Sequence, residues 1–348
     1  MSDIKRLELP PIKIDYLESL TDYTGILQHT KFTTPRRIEG YATDDNARAL
    51  LACVKYCKIF SDQKIEELAD IYLSFLLYMQ RNDGRFHNLL SYDRHFLDDV
   101  GSEDSTGRAL WACGHTINSK LTDEKRAVAK EIFDKGFRWV ASLTSPRAKA
   151  FAILGLGQYI KAHPEDNNLT INIETLVEHL LRSYELESSS DWRWFEPYLT
   201  YVNGRLPQAL FEAYETINNE RCLQIAIESF DFLVDTLTIN GKFVPIGNNG
   251  WYKKGDERAL YDQQSIEASC MVETAQAAFN TTGDQRYKRI ANTVFEWFLG
   301  KNTQNVMVYN PNTGGCYDGI TPKGLNLNQG TESTIGYLLA RLALEVLK

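Results

Sequence analysis

Apolar residues recur every three or four positions through most of this chain, and polar, Gly- or Pro-bearing stretches interrupt the pattern at intervals. Ile65, Leu68, Ile71, Tyr72, Phe75, Leu76 and Met79 show it clearly and predict a helix over 63–80. The same reading predicts helices over 14–29, 44–60, 104–118, 122–142, 146–162 and 170–186. Five more follow, over 205–217, 219–238, 263–280, 284–299 and 331–347. Start signals support several of them: Asp123 and Glu124 after Thr122, and Pro146 in a first turn. Residues 1–12, with Pro10 and Pro11, read as an extended lead-in.

The even-numbered helices of this series differ from the odd ones. They are rich in Ala, Gly and Ser, and polar residues stand at their starts. Gly40 to Leu50 delivers Asp44 and Asp45 to a helix beginning Ala47-Arg48-Ala49-Leu50. The layout returns 60 residues on, where Glu103 and Asp104 precede Arg108-Ala109-Leu110. Anchor positions Arg48, Arg108, Lys149, Gln208, Glu267 and Glu332 are spaced by 60, 41, 59, 59 and 65 residues, one helix pair plus loops each. Small residues let helices approach closely, as an inner ring requires. The expected fold is an all-α (α/α)6 toroid of six helical hairpins over 13–348. An open solenoid is the alternative, but solenoids lack such long, aromatic, non-repeating loops.

In a closed ring the loops entering the even helices converge. They carry Asp44, Asp45, Glu103, Asp104, Glu196, Asp262 and Glu332 together with Trp192, Trp194, Trp251, Tyr252 and Tyr317. Carboxylates among aromatic faces describe a carbohydrate site: rings stack on sugars, and acids bind hydroxyls and move protons. Each acid also has a bland reading. Asp44 and Asp45 are ordinary helix-capping types, although two adjacent charges exceed what a cap needs. Arg48 and Arg108 read first as partners that fix loop acids, and alternatively as a clamp for a sugar carboxylate or phosphate. Glu196, flanked by Phe195 and Pro197, is the acid whose apolar neighbours would raise its pKa. His29 and His87 lie near these loops, as ligand contacts or as ordinary loop histidines.

Composition narrows the alternatives. The formal charge of -8 and the pI near 5.4, with no basic cluster, disfavour a nucleic-acid surface. No apolar run reaches the roughly 18 residues of a membrane span, and the N-terminus lacks a signal-peptide core, so a cytoplasmic location is expected. The six cysteines form no Cys-x-x-Cys, and no His or Cys spacing suits zinc. No phosphate-binding Gly-rich loop with Lys is present. No metal and no cofactor are expected.

Four stretches carry a resemblance: Leu20 to His29 with Gly40 to Leu50; Trp194-Phe195-Glu196 through Arg205 to Leu210; Tyr261 to Ala268; and Asn328 to Thr334. They resemble a bacterial and archaeal family of six-hairpin glycosidase-like proteins, found alone or as the C-terminal part of glycosyltransferase chains. The resemblance covers almost the whole chain. The turn Tyr201-Val202-Asn203-Gly204 departs from it, with Val and Gly in place of an acid and a small residue. It implies a toroid acting on an oligosaccharide or glycoconjugate, with a functional link to glycosyltransferases. Toroidal sugar hydrolases, including unsaturated-glucuronyl hydrolases, are similar in placing aspartates at inner-helix starts. Asp45, Asp104 and Glu196 are therefore expected to carry acid/base chemistry. Asp44, Arg48, Glu103, Arg108, Trp194, Trp251, Asp262, Gln263 and Glu332 are expected to contact substrate. The expected activity is glycoside hydrolysis; the alternatives are a non-catalytic glycan-binding module and a sugar epimerase.

Overall fold

The structure, a computed structural model, describes residues 9–348, and at 167 and 168 the backbone alone. The first eight residues of the expected lead-in lie outside the described residues. Among those described there are twelve α-helices. The even-numbered ones are α2 (Thr43–Ile59), α4 (Glu103–Ile117), α6 (Pro146–Ala162), α8 (Arg205–Ile217), α10 (Ser265–Thr282) and α12 (Thr331–Val346). Each packs against the next, and α12 packs back on α2, so they close a ring. The odd helices α3 (Gln63–Met79), α5 (Asp123–Phe137), α7 (Asn167–Glu187), α9 (Glu220–Leu237) and α11 (Gln285–Phe295) lie outside it. This is the (α/α)6 toroid.

The inner helices are buried nearly all round, as a helix between a ring and its outer layer must be. Their closest approach, α4 on α6, depends on glycine. A Cβ on Gly114 would stand 2.2 Å from the Gly155 carbonyl oxygen, and one on Gly155 would stand 2.5 Å from that of Leu110. The small-residue composition of the even helices thus has a direct steric meaning.

One hairpin is incomplete. The helix expected over 14–29 is a single turn, α1 (Asp15–Ser19). Asp22 Oδ1 accepts from the Thr24 and Gly25 amides at 2.8 and 3.3 Å, a turn that competes with helix. Gly25 then passes so close to Asn46 and Phe75 that a Cβ would be 2.5 Å from Asn46 Oδ1. The helix expected over 122–142 likewise stops at Phe137 and gives way to a 3-10 turn at Val140–Ser142.

Short antiparallel ribbons tie the entry loops together on one rim. Tyr41–Ala42 pairs with Leu89–Leu90, and Tyr198–Leu199 pairs with Tyr252–Lys253. Gly319–Thr321 pairs with Gly324–Asn326, and Ile320 also bridges Gln263. These crosslinks hold loops that would otherwise be long and free.

Candidate active site

The rim where the inner helices begin encloses a depression with two lobes, of about 460 and 600 Å³. Asp44, Asn248, Gln264 and Glu332 line both lobes. Asp45, Asp262, Asp318 and His29 line the first; Arg48, Asp104, Arg108, Tyr201 and Trp251 line the second. Acids far apart in sequence are therefore neighbours.

Asp44 and Asp45 do not cap α2, which has no side-chain cap. Both turn to Arg48: Asp45 Oδ1 accepts from Nη1 at 2.6 Å and Asp44 Oδ2 from Nη2 at 3.0 Å. Glu332, from the last helix, reaches the same Nη2 at 2.8 Å. One buried guanidinium thus gathers three carboxylates. Burial and the neighbouring Asp44 push the Asp45 carboxyl well above the usual range, against the pull of Arg48. Asp104 accepts from the Tyr201 hydroxyl at 2.9 Å and the Ser145 hydroxyl at 3.2 Å, and it is only partly buried. Arg108 is 4 % exposed and has no hydrogen bond or ion pair among the described residues. Its guanidinium lies over the Phe151 ring at 4.2 Å. Burial and Arg48 bring its pKa down to about 10.

Several expected contacts are elsewhere. Trp194 is fully buried, edge-on to Phe195 at 5.1 Å, and cannot stack on a ligand. Trp192 is buried too, and both tryptophans pack near Phe232 of α9 in the outer layer. Glu196 does not line the depression. Arg147 Nη1 donates to its two oxygens at 2.8 and 3.1 Å, and the pair is buried. An acid so matched fixes the Tyr198–Asn203 turn, since Arg147 also donates to the Tyr201 carbonyl at 2.7 Å. The Gln263 amide is likewise committed: its oxygen accepts from Trp297 Nε1 at 2.9 Å and its nitrogen donates to the Leu260 carbonyl at 2.8 Å. Gln264, beside it, lines both lobes, and its amide has no such partner among the described residues. Glu103 lines the second lobe, but it accepts from the Thr144 and Ser145 amides, each at 2.7 Å. Those bonds, outweighing burial, hold its carboxyl below the usual range. Arg108 also differs from its expected pairing with a loop acid, because Asp104 is already held by hydroxyls.

Three residues of the rim escaped the sequence reading. Tyr201 belongs to the departing turn, in which Val202 takes φ 43°, and its phenol donates to Asp104. Asp318 accepts from the Gly330 amide at 2.7 Å, and burial raises its pKa. Glu267 is fully buried at the start of α10, behind the depression, and accepts from the Val202 amide. Burial brings its pKa up to about 7. Glu267 stands at an anchor position, so a signal for it existed. Among the described residues no group of three or more His, Cys, Asp or Glu side chains is placed to hold a metal ion. No helix among them is long and apolar enough to cross a membrane.

Compared by sequence, the chain matches no protein-family model and no curated protein. By structure it is similar to a D-mannose isomerase, at 14 % identity and TM-score 0.72, over 95 % of this chain and 94 % of that one. A cellobiose 2-epimerase from Bacillus thermoamylovorans is similar at 11 % identity and TM-score 0.75, over 95 % of both chains. A GH76A α-1,6-mannanase from a Salegentibacter species is similar at 13 % identity and TM-score 0.67, over 96 % of both. An inactive variant of that mannanase, with two consecutive aspartates replaced, is in complex with α-1,6-mannotetrose. These likenesses establish the toroid fold.

Proposed function

We propose that this protein is a glycan-active enzyme, a glycoside hydrolase working by carboxylate acid/base chemistry in the rim depression. The observation that carries the reading is the convergence of acids from three inner helices on the two-lobed depression: Asp45 lines one lobe, Asp104 lines the other beside Trp251, and Glu332 lines both. Asp45, its carboxyl shifted toward the protonated form by burial and by Asp44 against the pull of Arg48, gives its proton to the glycosidic oxygen. Asp104, held by two hydroxyls but open to the depression, takes a proton from water. Asp44, Glu332, Asp262 and Gln264 bind hydroxyls, and Trp251 offers an aromatic face. Arg48 keeps the acids in register. The mannanase also has two consecutive aspartates whose replacement leaves it inactive, a likeness to the pair Asp44-Asp45 that supports the reading.

The test is sugar release from a panel of oligosaccharides. Asp45→Asn and Asp104→Asn should each lower turnover at least about a hundredfold while sugar binding survives. Binding without release by the wild-type protein would overturn hydrolysis in favour of a glycan-binding role. Sugar isomerisation is the second reading, favoured by the isomerase and epimerase likenesses and by His29 on the first lobe. It predicts a product of unchanged mass.

A further inference from the structure

Arg108 stands in α4 where Arg48 stands in α2, and the two have opposite surroundings. Arg48 has acids three and four residues before it, Asp45 and Asp44. Both pair with it, and Glu332 joins them from α12. Three residues before Arg108 stands Ser105, whose hydroxyl donates to the Ser102 carbonyl at 2.7 Å. Four before it stands Asp104, held by the Tyr201 and Ser145 hydroxyls. Glu103 is taken by the Thr144 and Ser145 amides. Helix α4 thus repeats the cation of α2 without its counter-charge.

Burying a cation that nothing meets is costly, and Arg108 is 4 % exposed. The Phe151 ring covers one face of its guanidinium but satisfies none of the N–H donors in its plane. Its nitrogens are not sealed off: each keeps some accessible surface, and the residue lines the second lobe beside Trp251 and Gln264. That lobe opens at the N-terminal end of α4, the end of a helix that favours an anion. The charges that reach Arg108 are Arg48, of like sign, and Asp44, Asp104 and Glu332, of opposite sign. Burial and Arg48 outweigh the three acids and bring its pKa down, so the lobe as built leaves this charge under-compensated.

We propose that the second lobe recognises an acidic sugar, whose carboxylate or phosphate ester supplies the counter-charge that Arg108 lacks. A guanidinium meets either group through two parallel N–H bonds, and the Phe151 ring already fixes its plane. Arg48 cannot take the part, because three carboxylates occupy it. The inference rests on the reading of the depression as a sugar site and adds the charge that the sugar carries.

Calorimetric titration of the full chain with matched sugars tests it. Mannose, glucose and galactose are each set beside their uronate and their phosphate monoester at matched ionic strength, with inorganic phosphate as a separate arm. An acidic sugar should bind at least about tenfold tighter than its neutral parent, the worth of one charge-assisted hydrogen bond. The arm that shows the advantage tells carboxylate from phosphate. Arg108→Met should shrink the advantage to within about twofold, while Arg108→Lys, which keeps the charge without the fork, should keep part of it. Neither variant breaks a hydrogen bond or ion pair among the described residues. Acidic and neutral sugars bound alike, or an advantage that survives in Arg108→Met, overturns the proposal and leaves the glycan reading standing. Inorganic phosphate bound as tightly as the sugar phosphates overturns it in favour of a free anion. Binding of no sugar in any pair overturns both readings.

Discussion

Asp44 and Asp45 are adjacent and chemically identical, yet their surroundings separate them. Asp45 is buried against Arg48 and favours its proton, while Asp44 faces both lobes. Glu267 shows the same physics without exposure to the depression. Its folded pKa of about 7 lies above the ordinary 4.5, so the folded state binds a proton that the unfolded chain releases. Stability should therefore fall as pH rises from about 4.5 to about 7, and be flat on either side. Glu267→Gln keeps an oxygen for the Val202 amide and has no proton to lose. Thermal melts across that range should lose this slope in the variant. An unchanged slope would place the proton on another group.

At the scale of elements, helix starts differ within both layers: inner α4 and α6 are capped by the Ser102 and Ser145 side chains, while outer α5 has no side-chain cap. Outer helices α3, α9 and α11 are capped by Asp62, Asn219 and Asp284 side chains. Inner helices α2, α8, α10 and α12 have no side-chain cap. The first-turn acids of α2, α10 and α12, namely Asp44, Asp45, Glu267 and Glu332, meet the depression or buried partners. The inner layer is held by close packing, above all where α4 meets α6. Gly155→Ala would drive a methyl against the Leu110 carbonyl. We expect a loss of about 1–3 kcal/mol, the usual cost of overpacking, seen as a lower urea midpoint at unchanged slope. Wild-type stability in that variant would mean that the two helices can slide apart freely.

For the whole molecule, the seam between α12 and α2 matters most, because it makes a ring of what would otherwise be an open array. Arg48 on α2 holds Glu332 on α12 there, and the Thr331 amide donates to the Gln28 carbonyl at 3.1 Å. Arg48→Met would leave Asp44, Asp45 and Glu332 without their shared cation. The cost should be about 3 kcal/mol, the low end for a broken buried pair, since the Glu332 side chain is 39 % exposed. Freed carboxylates repel only when ionised, so the loss in melting temperature should be larger at about pH 8 than at about pH 5. An equal loss at both would assign the effect to packing alone.

Much of this was legible beforehand. The three-to-four-residue spacing of apolar positions places a helix in each expected segment, and the 60-residue return of acids before Arg48 and Arg108 marks which helices face inward. Periodicity is a local property, so sequence carries it. The shortened α1 escaped because an Asp22 turn and the crowding of Gly25 by Asn46 override local preference. Sequence by itself thus determined the ring of helices and the identity of Asp44, Asp45, Asp104 and Glu332 as its rim. Only the tertiary structure decided that Trp194 and Glu196 are interior supports, and that Arg108 lies over Phe151 with no hydrogen bond or ion pair among the described residues. Those outcomes depend on burial and on which charges meet across the ring, and both are settled by residues far apart in the chain.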